Sequence, residues 1–240
     1  MNVLVACEES QRVCTAFRER GHNAFSCDIQ PCSGGHPEWH IQGDVLKVLN
    51  PDEVVPMFGE LGIMFETMDG RFHAIRGRWD MIIAHPPCTH LANSGAKHFA
   101  KKRADGRQYE GIEFFCQFLH AECDRIVVEN PVGIISGDYI KEYFPELAER
   151  YALPVKPTQI IQPYEFGDPF KKTTCLWIVG DVKPLVPDNI VKPMLKESIS
   201  KKTGKKHVFS ADYGSGSEDA GKRRSKTYPG IARAMAEQWG

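Results

Sequence analysis

Three short runs of consecutive apolar residues constrain the fold of this chain most. They are VLVA (Val3–Ala6), MIIA (Met81–Ala84) and the IVV of RIVVENP (Arg125–Pro131). None of them alternates apolar with polar residues, which is typical of parallel strands covered on both faces. The stretch SQRVCTAFRERG has Val13, Ala16 and Phe17 on one helical face, and Gly21 is a suitable C-terminal cap. The pattern therefore predicts an α/β fold with a mostly parallel, doubly wound sheet.

Other segments complete this order of strands and helices. NAFSCDI (Asn23–Ile29) predicts a second strand ending at Asp28, and WHIQGDV a third ending near Asp44. Helical periodicity indicates helices over Tyr109–Cys123 and, after Pro229, over Gly230–Trp239. Residues 51–78 combine a helix signal with GRFHAIRG, which favours a small hairpin insertion.

The C-terminal third has a different composition. TQIIQ and TCLWIVG, within Pro154–Val182, predict a hairpin at the edge of the sheet. Residues 183–225 are rich in Pro, Lys, Gly and Ser, so we expect a long, partly mobile basic loop there. The expected organisation is one catalytic domain formed by residues 1–182 and 226–240, with the loop inserted between them.

Composition narrows the possible classes of protein. The 240 residues carry a formal charge of -1, so the chain as a whole is not a basic nucleic-acid binder. No signal peptide and no apolar run of about 18 residues is visible, which predicts an intracellular, cytoplasmic protein with reduced thiols and no membrane span. Cys27, Cys32, His36 and His40 match no strong zinc pattern, so we expect no metal.

Polar residues follow several predicted strands at what should be one edge of the sheet. Asp28 and Asp44 follow the second and third strands, and a carboxylate after the second strand suits ribose hydroxyl groups. The first loop, ACEESQ, contains no glycine and is a poor cradle for pyrophosphate, which argues against NAD. A nucleoside cofactor without phosphate, S-adenosylmethionine, fits better. Cys88 follows Pro86 and Pro87 on a rigid turn beyond the fourth strand.

Four motifs, in order, carry a resemblance to a known family. They are HPPCTHLANSG (85–95), VVENPVG (127–133), FGDPFKKTTCLWIVG (166–180) and SKTYPGIARAMAEQW (225–239). Together they resemble the motifs of cytosine-C5 DNA methyltransferases, and most closely those of short methylase-like proteins from phages and prophages. The resemblance implies a Rossmann-like fold of the S-adenosylmethionine-dependent methyltransferase type, acting in the cytoplasm of a bacterium or an infected host.

The resemblance also implies roles for individual residues. Cys88 would attack C6 of cytosine, Glu129 would protonate or hydrogen-bond N3, and Lys172 stands where the family has its first motif arginine. Thr174 replaces the second arginine, which usually contacts O2, so Lys171 or Lys172 is left for that role. The expected cofactor contacts are Cys7, Glu8, Glu9, Ser10, Asp28, Ile29, Asp44, Val45 and Pro86; the expected substrate contacts are Pro87, Thr89, Asn130 and Lys171.

Two features leave alternatives open. Only about 45 residues separate the last two motifs, too few for the family's usual target-recognition domain. The segment Lys196–Lys226 carries nine Lys/Arg and four Asp/Glu, which predicts DNA contact there or an ordinary solvated loop. The alternatives are modification of a free pyrimidine nucleotide and a catalytically silent nucleic-acid-binding protein. The histidines around the thiol, His85, His90 and His98, either pack and cap or raise its thiolate fraction. The pattern leaves the oligomeric state open.

Overall fold

A computed structural model describes residues 1–200, 203–210 and 225–240. The strands in these ranges are β1 (Asn2–Ala6), β2 (Asn23–Asp28), β3 (His40–Gln42), β4 (Glu53–Val55), β5 (Glu60–Glu66), β6 (Phe72–Arg76), β7 (Met81–Ala84), β8 (Arg125–Pro131), β9 (Gln159–Ile161), β10 (Thr174–Gly180), β11 (Leu195–Ile199) and β12 (Lys206–Ser210). The α-helices there are α1 (Arg12–Glu19), α2 (Phe99–Ala104), α3 (Arg107–Leu119), α4 (Tyr139–Tyr143), α5 (Pro145–Arg150) and α6 (Pro229–Trp239).

The central sheet has seven strands in the order β3-β2-β1-β7-β8-β10-β9. The first five strands are parallel to one another, whereas β10 runs antiparallel to both β8 and β9. The predicted α/β class, the mostly parallel sheet and the edge hairpin are confirmed. The apolar runs of β1, β7 and β8 occupy the three central positions, where both faces of a strand are covered.

Helices cover both faces of this sheet. Val3 and Val5 of β1 share one buried cluster with Val13 and Phe17 of α1, and α6 packs into the same cluster. Leu4, the residue between those two valines, belongs to the opposite cluster, which contains α3. Successive side chains of a strand point to opposite faces, so a strand covered on both sides must be apolar throughout. Each large aliphatic or aromatic side chain buried in this way contributes about 1.5–3 kcal/mol.

The helix signal within residues 51–78 is wrong, whereas the small hairpin insertion predicted there is confirmed by the antiparallel pair β5–β6. This segment forms an antiparallel sheet in the order β4-β5-β6. Ile63 and Phe65 point into the main core, whereas Met64 between them is exposed. This alternation is a strand period, and it places one face of the small sheet against the domain.

The predicted loop over residues 183–225 is wrong in part. β11 and β12 form an antiparallel hairpin inside it, with Lys206 Nζ 2.8 Å from a Glu197 carboxylate oxygen. Every residue of β11 is exposed, so the hairpin lacks the buried apolar face from which strands are normally recognised. Residues 201–202 and 211–224 of the basic segment, and the mobility expected there, lie outside the described residues.

No helix in the described ranges is both long enough and apolar enough to cross a bilayer.

Candidate active site

The strands β2, β1, β7 and β8 are neighbours in the sheet, and their carboxyl ends lie side by side. We call this side of the sheet its carboxyl edge. The register pairs Ala6 at the end of β1 with Ala84 at the end of β7, and Ala84 with Val128 of β8. Residues just beyond these positions therefore emerge next to each other. The topology brings the loop that carries Cys88 next to Glu129, although 41 positions separate the two residues in the chain.

The loop after β7 holds Cys88 on a short, fixed turn. The backbone N–H groups of Leu91 and Ala92 both donate to the Cys88 carbonyl oxygen, at 3.0 and 2.9 Å. Pro86 is buried, whereas Pro87 and Thr89 are exposed and Cys88 is partly exposed. The thiol is thus reachable on a backbone with little freedom to move, as a nucleophile requires.

Asn130 holds this loop from β8. Its side-chain amide donates a hydrogen bond of 2.7 Å to the carbonyl oxygen of Pro86, and the residue is 2% exposed. Gly133 follows closely, and a Cβ there would lie 2.3 Å from the Leu91 carbonyl oxygen. The structure therefore places Asn130, which was expected to touch substrate, as an anchor of the loop that carries Cys88.

A second anchor comes from α2 and was missed in the sequence. The ammonium group of Lys102 donates to the Thr89 carbonyl oxygen, and Lys102 is buried. The signal that could have found this part of the site is the basic stretch AKHFAKKR (96–103), which directly follows the nucleophile loop. Within it, Lys97, His98 and Lys101 are exposed.

Glu129 is held in a charged environment. One of its carboxylate oxygens lies 2.8 Å from Nδ1 of His85, and the two side chains are 11% and 8% exposed. Burial favours the neutral form of Glu129, but the Lys172 ammonium and the His85 hydrogen bond outweigh it, so the net effect lowers the Glu129 pKa. Glu129 is therefore a carboxylate at neutral pH.

The pKa of Cys88 shifts in the opposite direction to that of Glu129. Burial first, and then the Glu129 charge, raise the pKa of the Cys88 thiol, while Lys172 and Lys102 oppose this rise. The resting residue is a thiol. A substrate or a proton acceptor must shift this balance before the sulfur can attack.

The structure separates the two lysines of the FKKTT motif. Lys172 lines a small cavity together with Glu129, Thr174 and Tyr228, and Thr174 Oγ1 donates to the Lys172 carbonyl oxygen at 3.0 Å. Lys171 instead lines a groove beside β11 and β12, and its backbone N–H donates to Ser210 Oγ at 3.0 Å. Of the two candidates for the O2 contact, Lys172 is the one that lies beside Glu129.

Asp28 is the last residue of β2, and Asp44 follows β3. These are the two positions at which the sequence predicts a nucleoside site. Asp28 is half-buried, burial raises its pKa, and one of its oxygens accepts a 2.9 Å bond from the Gln30 backbone N–H. Ile29, the next residue, is 76% exposed. Asp44 is exposed and accepts a hydrogen bond from the Leu46 N–H, whereas Val45 is buried.

The loop after β1 contains two glutamates in different surroundings. The Glu8 carboxylate accepts hydrogen bonds from the backbone N–H groups of Val13 and Cys14, at 2.7 and 3.1 Å, at the start of α1. Glu8 therefore anchors the helix, a role distinct from the expected cofactor contact. Burial raises its pKa most, with the His85 charge and the backbone hydrogen bonds opposing the rise.

Glu9 is 8% exposed, and within the described residues neither of its carboxylate oxygens has a hydrogen-bond partner. The nearest cation is Lys226, whose Nζ lies 3.6 Å from Glu9 Oε1 and donates to Ser33 Oγ at 2.8 Å. A buried carboxylate without hydrogen bonds is costly unless a ligand completes it. Glu9 therefore suits an ammonium group, and Lys226 with Ser33 suits a neighbouring carboxylate.

Backbone geometry shapes the remainder of this loop. Cys7 and Gln11 have φ values of 58° and 57°, a left-handed conformation that non-glycine residues rarely adopt. The Gln11 side chain bonds both the N–H and the carbonyl group of His36, at 3.0 and 2.8 Å. Burial raises the pKa of the Cys7 thiol, and Ser10 is buried. Gln11 is a further residue that sequence reasoning missed, and it holds the loop after β2 against the loop after β1.

Within the described ranges, no group of three or more His, Cys, Asp or Glu side chains is arranged to hold a metal ion. A comparison with protein-family models and with curated proteins finds no match to this chain.

Proposed function

We propose that this protein transfers a methyl group from S-adenosylmethionine to carbon 5 of cytosine. The observation that carries the proposal is the grouping of Cys88, Glu129 and Lys172 at the carboxyl edge of the sheet. Glu129 and Lys172 both act on the Cys88 thiol, and Lys172 also acts on Glu129. A partly exposed thiol beside a carboxylate and a cation is the set that addition to a pyrimidine ring requires.

The chemistry assigns each residue a task. Carbon 5 of cytosine is a poor nucleophile until the Cys88 sulfur adds at C6, which makes C5 enamine-like. Electron density then grows on N3 and O2. Glu129 forms a hydrogen bond to N3 and delivers a proton to it, and the Lys172 ammonium stabilises the charge near O2. Pro86, Asn130 and Lys102 hold the sulfur in place while it attacks.

The cofactor side of the edge supports the same reaction. S-adenosylmethionine supplies an electrophilic methyl group on a sulfonium. Asp28 is placed to accept hydrogen bonds from ribose hydroxyl groups, and Ile29 to pack on the adenine. The Glu9 carboxylate, which lacks a hydrogen-bond partner within the described residues, is suited to the amino group of the methionine portion, and Lys226 with Ser33 to its carboxylate.

DNA is the proposed substrate because exposed cations follow the Cys88 loop in the chain and recur in the basic segment. Lys97 and Lys101 follow the nucleophile loop, and the described part of the basic segment contributes Lys196, Lys205 and Lys206. Phosphate contacts of this kind position a nucleic acid without reading its sequence. The target base must leave the duplex to reach Cys88.

One observation favours a second candidate, modification of a free pyrimidine nucleotide. The described part of the region between the last two motifs contains a single small hairpin, β11–β12, with a groove beside Lys171. A nucleotide enzyme needs only one phosphate site and no recognition domain.

Incubation with labelled S-adenosylmethionine and either duplex DNA or dCMP, followed by mass spectrometry of the cytosine, distinguishes the two. We expect 5-methylcytosine in DNA and little product from dCMP. Cys88→Ser should abolish product, whereas Cys123→Ser, a partly exposed thiol just before β8, should retain it. Product from dCMP alone would support the second candidate, and no product from either substrate would contradict both.

A further inference from the structure

His85 is fixed against Glu129 by its position in the chain. It directly follows β7, its backbone N–H donates to the Ala6 carbonyl oxygen at 2.9 Å, and Pro86 restricts its backbone from the other side. The ring can therefore reach few places. Its Nδ1 lies 2.8 Å from Glu129, and its buried Nε2 has no hydrogen-bond partner within the described residues.

Glu129 needs a source for the proton that it is proposed to deliver to N3 of cytosine. Adding a thiol across cytosine places a proton on N3, yet Lys172 and His85 keep Glu129 ionised at neutral pH. Lys172 lines the same small cavity as Glu129 and is assigned the stabilisation of charge near O2. The imidazole of His85 is the group hydrogen-bonded to Glu129, and histidine exchanges protons in this pH range.

Charged and titratable side chains surround His85 on several elements. Glu129 faces it from β8, and Glu8 interacts with it from the loop after β1. Cys88 lies in the same loop as His85, and Lys172, before β10, acts on Glu129. Among these groups, His85 is in hydrogen-bond contact with Glu129, at 2.8 Å.

We propose that His85 is a positioning residue that orients Glu129 and supplies it with the proton that is transferred to N3 of cytosine. The inference rests on the proposed methyl transfer and extends it to a residue outside the three that the reaction already uses.

The proton and electron balance of this step is closed. Cys88 is partly exposed and gives its thiol proton to solvent water. The resulting thiolate forms the S–C6 bond, the C5=C6 electron pair becomes C4=C5, and the C4=N3 pair moves onto N3. N3 takes the proton from Glu129, Glu129 takes one from Nδ1 of His85, and the imidazolium becomes neutral. When the S–C6 bond breaks without methylation, the same proton returns along the same path.

The first test measures exchange of tritium from C5 of cytosine in DNA, a reaction that needs the Cys88 adduct but no methyl transfer. His85→Asn keeps an N–H donor near Nδ1 and does not titrate. We expect exchange to fall at least 10-fold and to lose its decline between about pH 6 and pH 8, where histidine gives up its proton. Full activity of His85→Asn with an unchanged pH profile would overturn the proposal, because hydrogen bonding alone would then suffice.

The second test uses the free wild-type protein and no substrate. Nitrogen-15 NMR of the His85 ring should show a proton on Nδ1, and Glu129→Gln should shift the ring signals. A ring protonated only at Nε2 would mean that Glu129 holds its own proton, and this would overturn the inference. If wild-type protein exchanges no tritium, the proposed methyl transfer fails, and the NMR result still decides whether His85 donates to Glu129.

Discussion

The side-chain amide of Asn130 donates a 2.7 Å hydrogen bond to the carbonyl oxygen of Pro86, two residues before the proposed nucleophile. This bond joins β8, which carries Glu129, to the loop that carries Cys88. The distance between the acid and the nucleophile therefore depends on a residue that contacts neither reacting atom. An enzyme whose groups must meet on one small ring gains from such a rigid link.

Asn130→Ala tests this link. The change leaves the Pro86 carbonyl oxygen without its donor in a buried place, which should cost about 1–3 kcal/mol of unfolding free energy. We expect kcat to fall more than the affinity for S-adenosylmethionine, because the loop moves and the cofactor carboxylates do not. Chemical denaturation and steady-state kinetics measure the two effects. Equal loss of kcat and cofactor affinity would point to general damage instead.

The reactivity of Cys88 should follow the charges around it. Burial and Glu129 raise the thiol pKa, and Lys172 lowers it. Alkylation of Cys88 by iodoacetamide at pH 7.5 should therefore be slower than that of glutathione, and should rise with pH. Glu129→Gln should speed it and Lys172→Met should slow it. Peptide mapping must separate Cys88 from the other seven cysteines. An unchanged alkylation rate in both variants would contradict an effect of Glu129 and Lys172 on the thiol.

Glu8 and Glu9 form a matched pair for testing cofactor contacts. Glu9→Gln should weaken S-adenosylmethionine binding measured by calorimetry, since a neutral amide attracts an ammonium group less than a carboxylate does. Glu8→Gln should change that affinity little, because Glu8 bonds α1. Equal losses in the two variants would contradict this division of roles.

Glu8 should instead affect the pH dependence of stability. Its folded pKa is raised, so its contribution to the free energy of unfolding is full below the unfolded pKa of about 4.3 and is lost as pH rises through the folded value. Urea denaturation at pH 5 and pH 8 should show a smaller difference between the two pH values in Glu8→Gln than in wild type. The opposite order would mean that the buried carboxylate is the favoured form.

Asp28 is the expected ribose ligand, at the end of β2. Asp28→Ala should weaken S-adenosylmethionine binding by about 1–3 kcal/mol, the usual cost of losing a charge-assisted acceptor. Asp80 offers a control acidic residue at the amino ends of the strands. It precedes β7 and accepts a 2.6 Å hydrogen bond from the Asn2 N–H. Calorimetry showing unchanged affinity for Asp28→Ala would exclude it from the site.

The exposed lysines beside the nucleophile loop should contact phosphates. Replacing Lys97 and Lys101 by Ser should weaken DNA binding and reduce the slope of log K against log salt by about 1 for each lost contact. Replacing Lys205 and Lys206 tests the hairpin in the same way. Lys47 and Lys141, also exposed, provide a control double variant. Equal slopes in all variants would favour the free-nucleotide reaction.

Sequence alone was sufficient for the elements whose information is local. The unbroken apolar runs of β1, β7 and β8 predict buried parallel strands because both faces of each strand must be apolar, and Pro86 and Pro87 mark the end of β7. Residues 51–78 were predicted only in part, as a helix and a small hairpin, and the exposed hairpin β11–β12 escaped prediction. In the first case strand and helix signals overlapped, and in the second no buried face existed to produce a pattern.

Only the tertiary structure decided which polar groups meet. His85 contacts Glu129 across 44 positions of the chain, and Lys226 reaches Ser33 across 193, because β1, β7 and β8 pair in parallel and α6 packs beside α1. No local periodicity records such contacts, since they depend on how whole elements pack. Glu8 supports the start of α1 through local hydrogen bonds, whereas its neighbour Glu9 lies buried without a hydrogen bond in the described structure, 3.6 Å from a lysine that α6 brings close.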